Sequence, residues 1–282
     1  MQRTEYFYDS SPSENYKVCN VYYTENGLFT RKVAIYRGDT LIKEADMHSD
    51  NLYCSFFNKD GQDWIQYAPG HISQYFMNLE TGEEYNNYDE TDRYGFCWAE
   101  LQTNPSSSIL AIIGCHWAFP YQWKFYDFKD PSKGWHVILF DVESFQTLYK
   151  DFSPSNKKRF HIICEEGIDN DENDQVFWKN DTEFALIKTR DFHPESGRYM
   201  DDLERNHPKL FKYFQKKHGK EYFKHDINLV KVKPFSKMTF SRIIKDEQEK
   251  FYCTSIELID TDEYIDQFED NNFIRETLSK YA

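Results

Sequence analysis

A chain of 282 residues with a formal net charge of −14 lacks the positive surface that non-specific binding to nucleic acid requires. Its 24 Phe, 21 Tyr and 6 Trp exclude general disorder and favour sheets, where flat rings pack on a pleated surface. No run approaches the roughly 20 apolar residues of a membrane-spanning helix, and the opening MQRTEYFYDSSPSENYK carries no apolar signal region. The expected setting is soluble and cytoplasmic, with no membrane partner.

In chain order, residues 16–46 form a first strand-and-turn unit. Strands Tyr16–Tyr23, Leu28–Tyr36 and Thr40–Asp46 are separated by the turns Glu25-Asn26-Gly27 and Arg37-Gly38-Asp39. Residues 51–86 form the clearest unit. Asp60-Gly61 is a two-residue hairpin signal, because Gly accepts the positive φ such turns need, and Thr81-Gly82 marks a second turn. Residues 95–140 follow, with strands Gly95–Gln102, Ile109–Trp117, Gln122–Phe128 and Trp135–Phe140. Residues 159–192 give Arg159–Cys164, an acidic loop, Gln175–Trp178 and Glu183–Arg190, and residues 227–259 give Ile227–Val232, Lys237–Ile244 and Phe251–Ile259. The fold class expected from this spacing is all-β: a single domain over 1–282, a propeller-like array of about five to six up-and-down antiparallel blades.

Two helical additions interrupt the strands. One is an insertion at 199–226, whose helix over 207–218 is framed by Pro208 at its start and Gly219 past its end. The other is a C-terminal helix within 262–282. Its stripe of Tyr264, Ile265, Phe268, Phe273, Ile274 and Leu278 should pack on the body, capped by Thr261 or Asp262. The six cysteines are widely spaced and sit in apolar runs, so they read as buried thiols rather than a disulfide framework.

Phe56-Phe57-Asn58-Lys59-Asp60-Gly61 followed by Phe76-Met77-Asn78-Leu79-Glu80-Thr81-Gly82-Glu83 resembles a degenerate WD40-type or TolB-type β-propeller repeat. Val176–Ala185 is similar to the first half of that pattern and Phe125–Phe128 to the second. The resemblance covers about half the chain, and implies a repeat protein of the propeller class.

Four residues are the first candidates for partner binding: His116, Trp117, Phe119 and Tyr121. The segment Trp117–Tyr121 reads as a loop at a strand end, where an exposed ring could anchor a protein. The competing reading is an internal hydrophobic corner. Cys115 and His116 are adjacent in a strand and point to opposite faces, so they do not converge on one metal ion. Asp169, Asp171 and Asn173 have the alternate spacing of a calcium loop, but Asp174 stands where that motif needs Gly and Asn180 where it needs a bidentate Glu. A solvated acidic hairpin loop is expected there instead. Nine lysines between Lys209 and Lys237 interleave with aromatic residues and read as a surface helix with its rings turned inward.

The nine histidines are scattered, and no HExxH, GxSxG, Walker loop or GxGxxG is present. The expectation is therefore no catalytic residue, no metal and no cofactor. The expected function is a non-catalytic protein-interaction module, a scaffold or adaptor, and a basic partner suits its charge. One alternative is an enzyme or small-ligand binder with a site in a central channel, using His116, His161 and neighbouring carboxylates. Another is an acidic inhibitor or immunity-type protein that masks a basic partner.

Overall fold

The structure is a computed structural model. It describes residues 2–26, 28–47, 53–68, 75–86, 96–116, 118–150, 163–169, 173–192, 231–261, 263, 265–266 and 271–282, with Pro208, Lys209, Lys212 and Lys216. The described residues are mostly strand and form four sheets.

The first sheet is an antiparallel meander of β1 (Gln2–Ser10), β2 (Tyr16–Glu25), β3 (Leu28–Arg37) and β4 (Thr40–Asp46). The sequence pattern marks three of these strands. β1 is an addition: its side chains are almost all exposed, so it shows no apolar alternation. The second sheet is the meander β5 (Tyr53–Lys59), β6 (Gln62–Ala68), β7 (Tyr75–Asn78) and β8 (Glu84–Asn86). Asp60 and Gly61 both have positive φ, 54° and 78°, as the hairpin reading requires.

The third sheet is built on β9 (Phe96–Thr103), β10 (Ile109–His116) and β11 (Ala118–Asp127). β12 (His136–Val137) pairs with one end of β11. β15 (Gly167–Asp169), which pairs with β14 (Ile163–Cys164), joins β11 at the other. The expected strand Trp135–Phe140 is thus divided. β12 stays in the third sheet, while β13 (Leu139–Asp141) pairs in parallel with a strand of the fourth. Part of the expected acidic loop, Gly167–Asp169, is strand rather than loop.

The fourth sheet contains β16 (Gln175–Trp178), β17 (Glu183–Phe192), β18 (Lys231–Lys245) and β19 (Gln248–Leu258), with β13 beside β19 and β20 (Ile265–Asp266) beside β18. Two of the expected units therefore share one sheet, and where the spacing suggests five to six blades, four sheets are seen among the described residues. The sequence predicts separate strands at Ile227–Val232 and Lys237–Ile244; residues 227–230 lie outside the described residues, and β18 runs unbroken through 231–245. It turns into β19 through Asp246 and Glu247, both at positive φ (51° and 63°).

Each inner strand is buried on two faces, which explains its sequence. In the run Ile109-Leu110-Ala111-Ile112-Ile113, the odd positions pack against the fourth sheet and the even positions against the second. Trp64 faces the third sheet and Ile65 the first. The third–fourth core is the largest among the described residues: Phe125 stacks on Phe184 at 4.5 Å, and Phe140, Phe240 and Phe251 surround them.

Helix α1 (Val142–Lys150) has no counterpart in the sequence expectations. Asp141 caps it: the Ser144 backbone N–H donates to Asp141 Oδ1 at 2.7 Å. Val142, Phe145, Leu148 and Tyr149 pack on the third–fourth core. Helix α2 (Asn271–Ser279) is shorter than the expected 262–282 helix, because Ile265–Asp266 is strand. Thr261 does not cap it. Its hydroxyl accepts from the Glu263 N–H and meets the Tyr281 hydroxyl; Asp262 lies outside the described residues. Of the expected insertion at 199–226, Pro208, Lys209, Lys212 and Lys216 are helical and exposed, and the rest lies outside the described residues. No described helix is long and apolar enough to cross a membrane.

Candidate functional site

The inner ends of three sheets converge on a cleft of about 480 Å³. Phe56, Phe57 and Asn58 come from the end of β5, Thr103, Asn104, Pro105 and Ser107 from the β9–β10 turn, Phe177 and Trp178 from the end of β16, and Arg275 from α2. The volume lies within the usual range of ligand pockets.

The rim is held by its own polar groups. Asn104 Nδ2 donates to the Asp181 carbonyl at 3.1 Å and to Ser108 Oγ at 3.0 Å, while Asn104 Oδ1 accepts from the Ile109 N–H at 2.9 Å. The Ser107 hydroxyl donates to the Asn58 carbonyl at 2.5 Å, joining the third sheet to the second. Asn58 Oδ1 accepts from the Gly61 N–H at 3.2 Å. These side chains are committed to the scaffold, as buried polar groups usually are.

Two groups on the wall are donors. Arg275 Nη1 donates to Gln175 Oε1 at 3.0 Å, and its guanidinium lies 4.8 Å from the centre of the Phe177 ring. Gln175 Oε1 also accepts from Gln102 Nε2 at 3.3 Å, which ties α2 to both the third and fourth sheets. Trp178 packs its ring on Phe125 and Phe184, but its buried Nε1–H has no acceptor. Trp64, Trp123 and Trp135 also have unpartnered indole N–H groups, yet their rings lie in closed cores.

A second feature is the outer edge of the first sheet. Among the described residues β1 pairs only with β2, leaving its other edge without a strand. Tyr6 and Phe7 on it are 58% and 66% exposed. The face above β2 and β3 is roofed differently. Arg3 donates to the Tyr23 and Tyr36 hydroxyls at 3.0 and 2.7 Å, Tyr36 donates to Glu5, and Tyr23 donates to Glu44 at 2.8 Å. Under this lattice Cys19, Val21 and Ala34 are buried. Burial, with the hydrogen bond to Glu5, holds the Tyr36 phenol above its ordinary value. Burial works against ionisation of Glu44, but Tyr23 and Lys32 outweigh it and hold the carboxyl below the usual range.

Of the four residues expected to bind a partner, Trp117 lies outside the described residues. His116 ends β10, while Phe119 and Tyr121 lie in β11; their side chains are outside the described set. The segment expected as the loop Trp117–Tyr121 is therefore mostly strand, with His116 registered against Ala118.

In the described part of the acidic segment Glu165 and Glu166 are exposed, but Gly167, Ile168 and Asp174 are buried. Asp174 and Lys188 form an ion pair in which both side chains have no exposure. Lys188 also donates to the Asp169 carbonyl at 2.6 Å, and Asp174 Oδ1 accepts from the Thr189 N–H at 2.7 Å. Asp169 Oδ1 accepts from Gln122 at 3.1 Å. Asn173 is partly buried and Asp171 lies outside the described residues. Among the described residues no group of three or more His, Cys, Asp or Glu side chains could hold a metal ion. Burial raises the thiols of Cys19 and Cys54 and pushes that of Cys253 up to about 12, so none of these three is an activated nucleophile.

Sequence reasoning missed the cleft because its wall comes from segments far apart in the chain. The aromatic pairs Phe56-Phe57 and Phe177-Trp178 were its only local signal.

No protein-family model matches the chain. It is 34% identical over 153 residues to an uncharacterized protein, R762, of Acanthamoeba polyphaga mimivirus. The match covers 53% of this chain and 52% of that protein, so the chain spans about half the length of the curated relative. Among solved structures it is similar to the β-propeller domain of the Trilobed protease from Pyrococcus furiosus, with 9% identity and a TM-score of 0.39, over 94% of this chain and 72% of that one.

Proposed function

We propose that this chain is a non-catalytic protein-interaction module, a scaffold or adaptor whose four sheets are the blades of an open propeller-like body. The observation that carries the reading is the outer edge of β1: a nine-residue strand, unpaired on one side among the described residues, with Tyr6 and Phe7 turned to solvent. Soluble proteins usually blunt such an edge with charge, Pro or a covering element. An extended segment of a partner can add to it as a further strand, with main-chain hydrogen bonds giving affinity and the rings giving selectivity. A partner bearing basic residues suits the net charge of −14.

The test is affinity capture from the native cell with the parent chain and with Phe7→Lys, followed by binding of the purified partner to both. The expected result is one stoichiometric partner that the variant loses while its Tm is unchanged. Equal binding by Phe7→Lys would remove β1 from the interface. Trp117→Ala and Tyr121→Ala test the β10–β11 hairpin in the same assay. A loss of about 2 kcal/mol of binding at either, with stability retained, would move the interface there.

A further inference from the structure

We propose that Cys97 on β9 and Cys115 on β10, which the register sets directly opposite each other, are a thiol–disulfide switch. The pair closes on a small-molecule disulfide such as oxidised glutathione and reopens on a small-molecule thiol. It is separate from the β1 edge and does not depend on the interaction reading.

The side chains of both cysteines lie outside the described set; their placement comes from the backbone. The hairpin starts in one register, with Leu110 opposite Thr103 and Ile113 opposite Glu100. Asn104 fixes its turn, accepting from the Ile109 N–H, and the run Ile109–Ile113 is buried on both faces, so a slip of the strands is costly. Ala99 is then an extra residue without a counterpart, and the register steps to Gly114 opposite Trp98, Cys115 opposite Cys97 and His116 opposite Phe96. Without that bulge Cys115 would face Trp98, and Cys97 would face His116. Bulges are over-represented where a strand must re-aim its residues. The other four cysteines have different counterparts: Cys19 stands between Phe7 and Ala34, Cys54 opposite Tyr67, Cys164 opposite Gly167 and Cys253 opposite Phe240.

Directly opposed residues of an antiparallel pair share a face, with Cα atoms about 4.5–5.5 Å apart and Cβ atoms at about the same separation. A disulfide takes Cα atoms about 4.4–6.8 Å apart and Cβ atoms about 3.5–4.5 Å apart. The bond is therefore within reach, but closing it draws the strands together slightly, and strained disulfides are the easily reduced ones. In the closing reaction one cysteine thiolate attacks a sulfur of oxidised glutathione, forming a mixed disulfide and releasing one glutathione thiolate. The second cysteine thiolate attacks the protein sulfur of that mixed disulfide, forming the Cys97–Cys115 bond and releasing the other glutathione. Two electrons pass from the protein to glutathione, and the two protons lost by the cysteines end on the two released thiolates. When closed, the bond fastens the end of β10, beside its turn into β11, to β9.

The experiment equilibrates the full native chain over a series of ratios of reduced to oxidised glutathione. Free thiols are then blocked with iodoacetamide, and the chain is digested without reductant for mass spectrometry. The expected result is a fragment that links Cys97 to Cys115. Its yield should rise with the oxidised fraction and fall again when reduced glutathione is restored, with the far-UV circular dichroism unchanged throughout. In Cys97→Ser the fragment should be absent and Cys115 should carry glutathione instead; if that variant does not keep the parent Tm, Cys115→Ser is read in the same way at Cys97. The parent chain decides the matter even if neither variant folds. The proposal is overturned if no such fragment forms at the most oxidising ratio, or if both cysteines stop at mixed disulfides. It is also overturned if either cysteine links to a different one, or if the bond forms or opens only in urea.

Discussion

The two ends of the sheet stack are finished in opposite ways. On the fourth sheet, Ile187 and Ile265 are sealed by Ile274 and Leu278 of α2, and Lys280 and Tyr281 both bind Glu263 at 2.5 and 2.6 Å to fasten the terminus. On the first sheet no described helix covers the small apolar face of Cys19, Val21 and Ala34; a lattice of long polar side chains does. One end is closed by apolar burial, which is strong and insensitive to salt. The other is closed by part-buried polar contacts between side chains that still reach water, which are weak individually and leave an adjoining strand edge accessible. A surface that must accept a partner is better built the second way, since a sealed face has nothing left to offer.

Lys188→Met should break this comparison hardest. It strands Asp174 without its fully buried partner, and about 3–5 kcal/mol of stability should be lost in urea unfolding. The double change Lys188→Met with Asp174→Leu should recover much of that loss, because two apolar groups need no pairing.

Leu278→Ala removes a fully buried side chain from the seal of the fourth sheet. It should cost about 2–5 kcal/mol and raise hydrogen exchange in α2 before the rest of the chain. A loss spread evenly over all four sheets would mean that α2 is not a separate closing element.

Tyr36→Phe tests the polar roof. The Arg3 and Glu5 contacts at its hydroxyl would be lost, yet both partners reach water, so the cost should be about 1 kcal/mol. A cost as large as that at Leu278 would show that the roof is as strong as the seal.

Acid should loosen both ends slightly. The Glu44 and Glu263 carboxyls sit below their ordinary 4.5; burial opposes the shift in each, and the bonds from Tyr23 and Lys32, or from Lys280 and Tyr281, prevail. A depressed folded-state pKa contributes stability that is fully present above the unfolded value and is lost as pH falls through the folded one. The Tm should therefore fall below about pH 4.5, and Glu263→Gln should flatten that slope. A slope unchanged in Glu263→Gln would exclude this carboxylate from the acid response.

The smallest effect belongs to the β1 edge. Phe7→Lys should change stability by no more than about 0.5 kcal/mol, because its ring is already in water. A larger loss would mean that Phe7 packs on the body and is not a docking surface.

Local chemistry made much of the fold legible. Asp60-Gly61 and Thr81-Gly82 mark turns by their own backbone preferences, and the run Ile109–Ile113 declares a strand buried on both sides. The stripe of Ile274 and Leu278 marks α2, and the missing alternation in Gln2–Ser10 hides β1. Tertiary structure decided which strands share a sheet. It sent β13 to β19, returned β14 and β15 to β11, and fused two expected units into the fourth sheet. It also brought Trp178 and Arg275 to Phe56 across three sheets and a helix. A hairpin is specified by the turn that closes it, within a few residues. Pairing between distant segments depends on which apolar surfaces fit when the whole core is packed, and that information is spread over the chain rather than written in any one stretch of it.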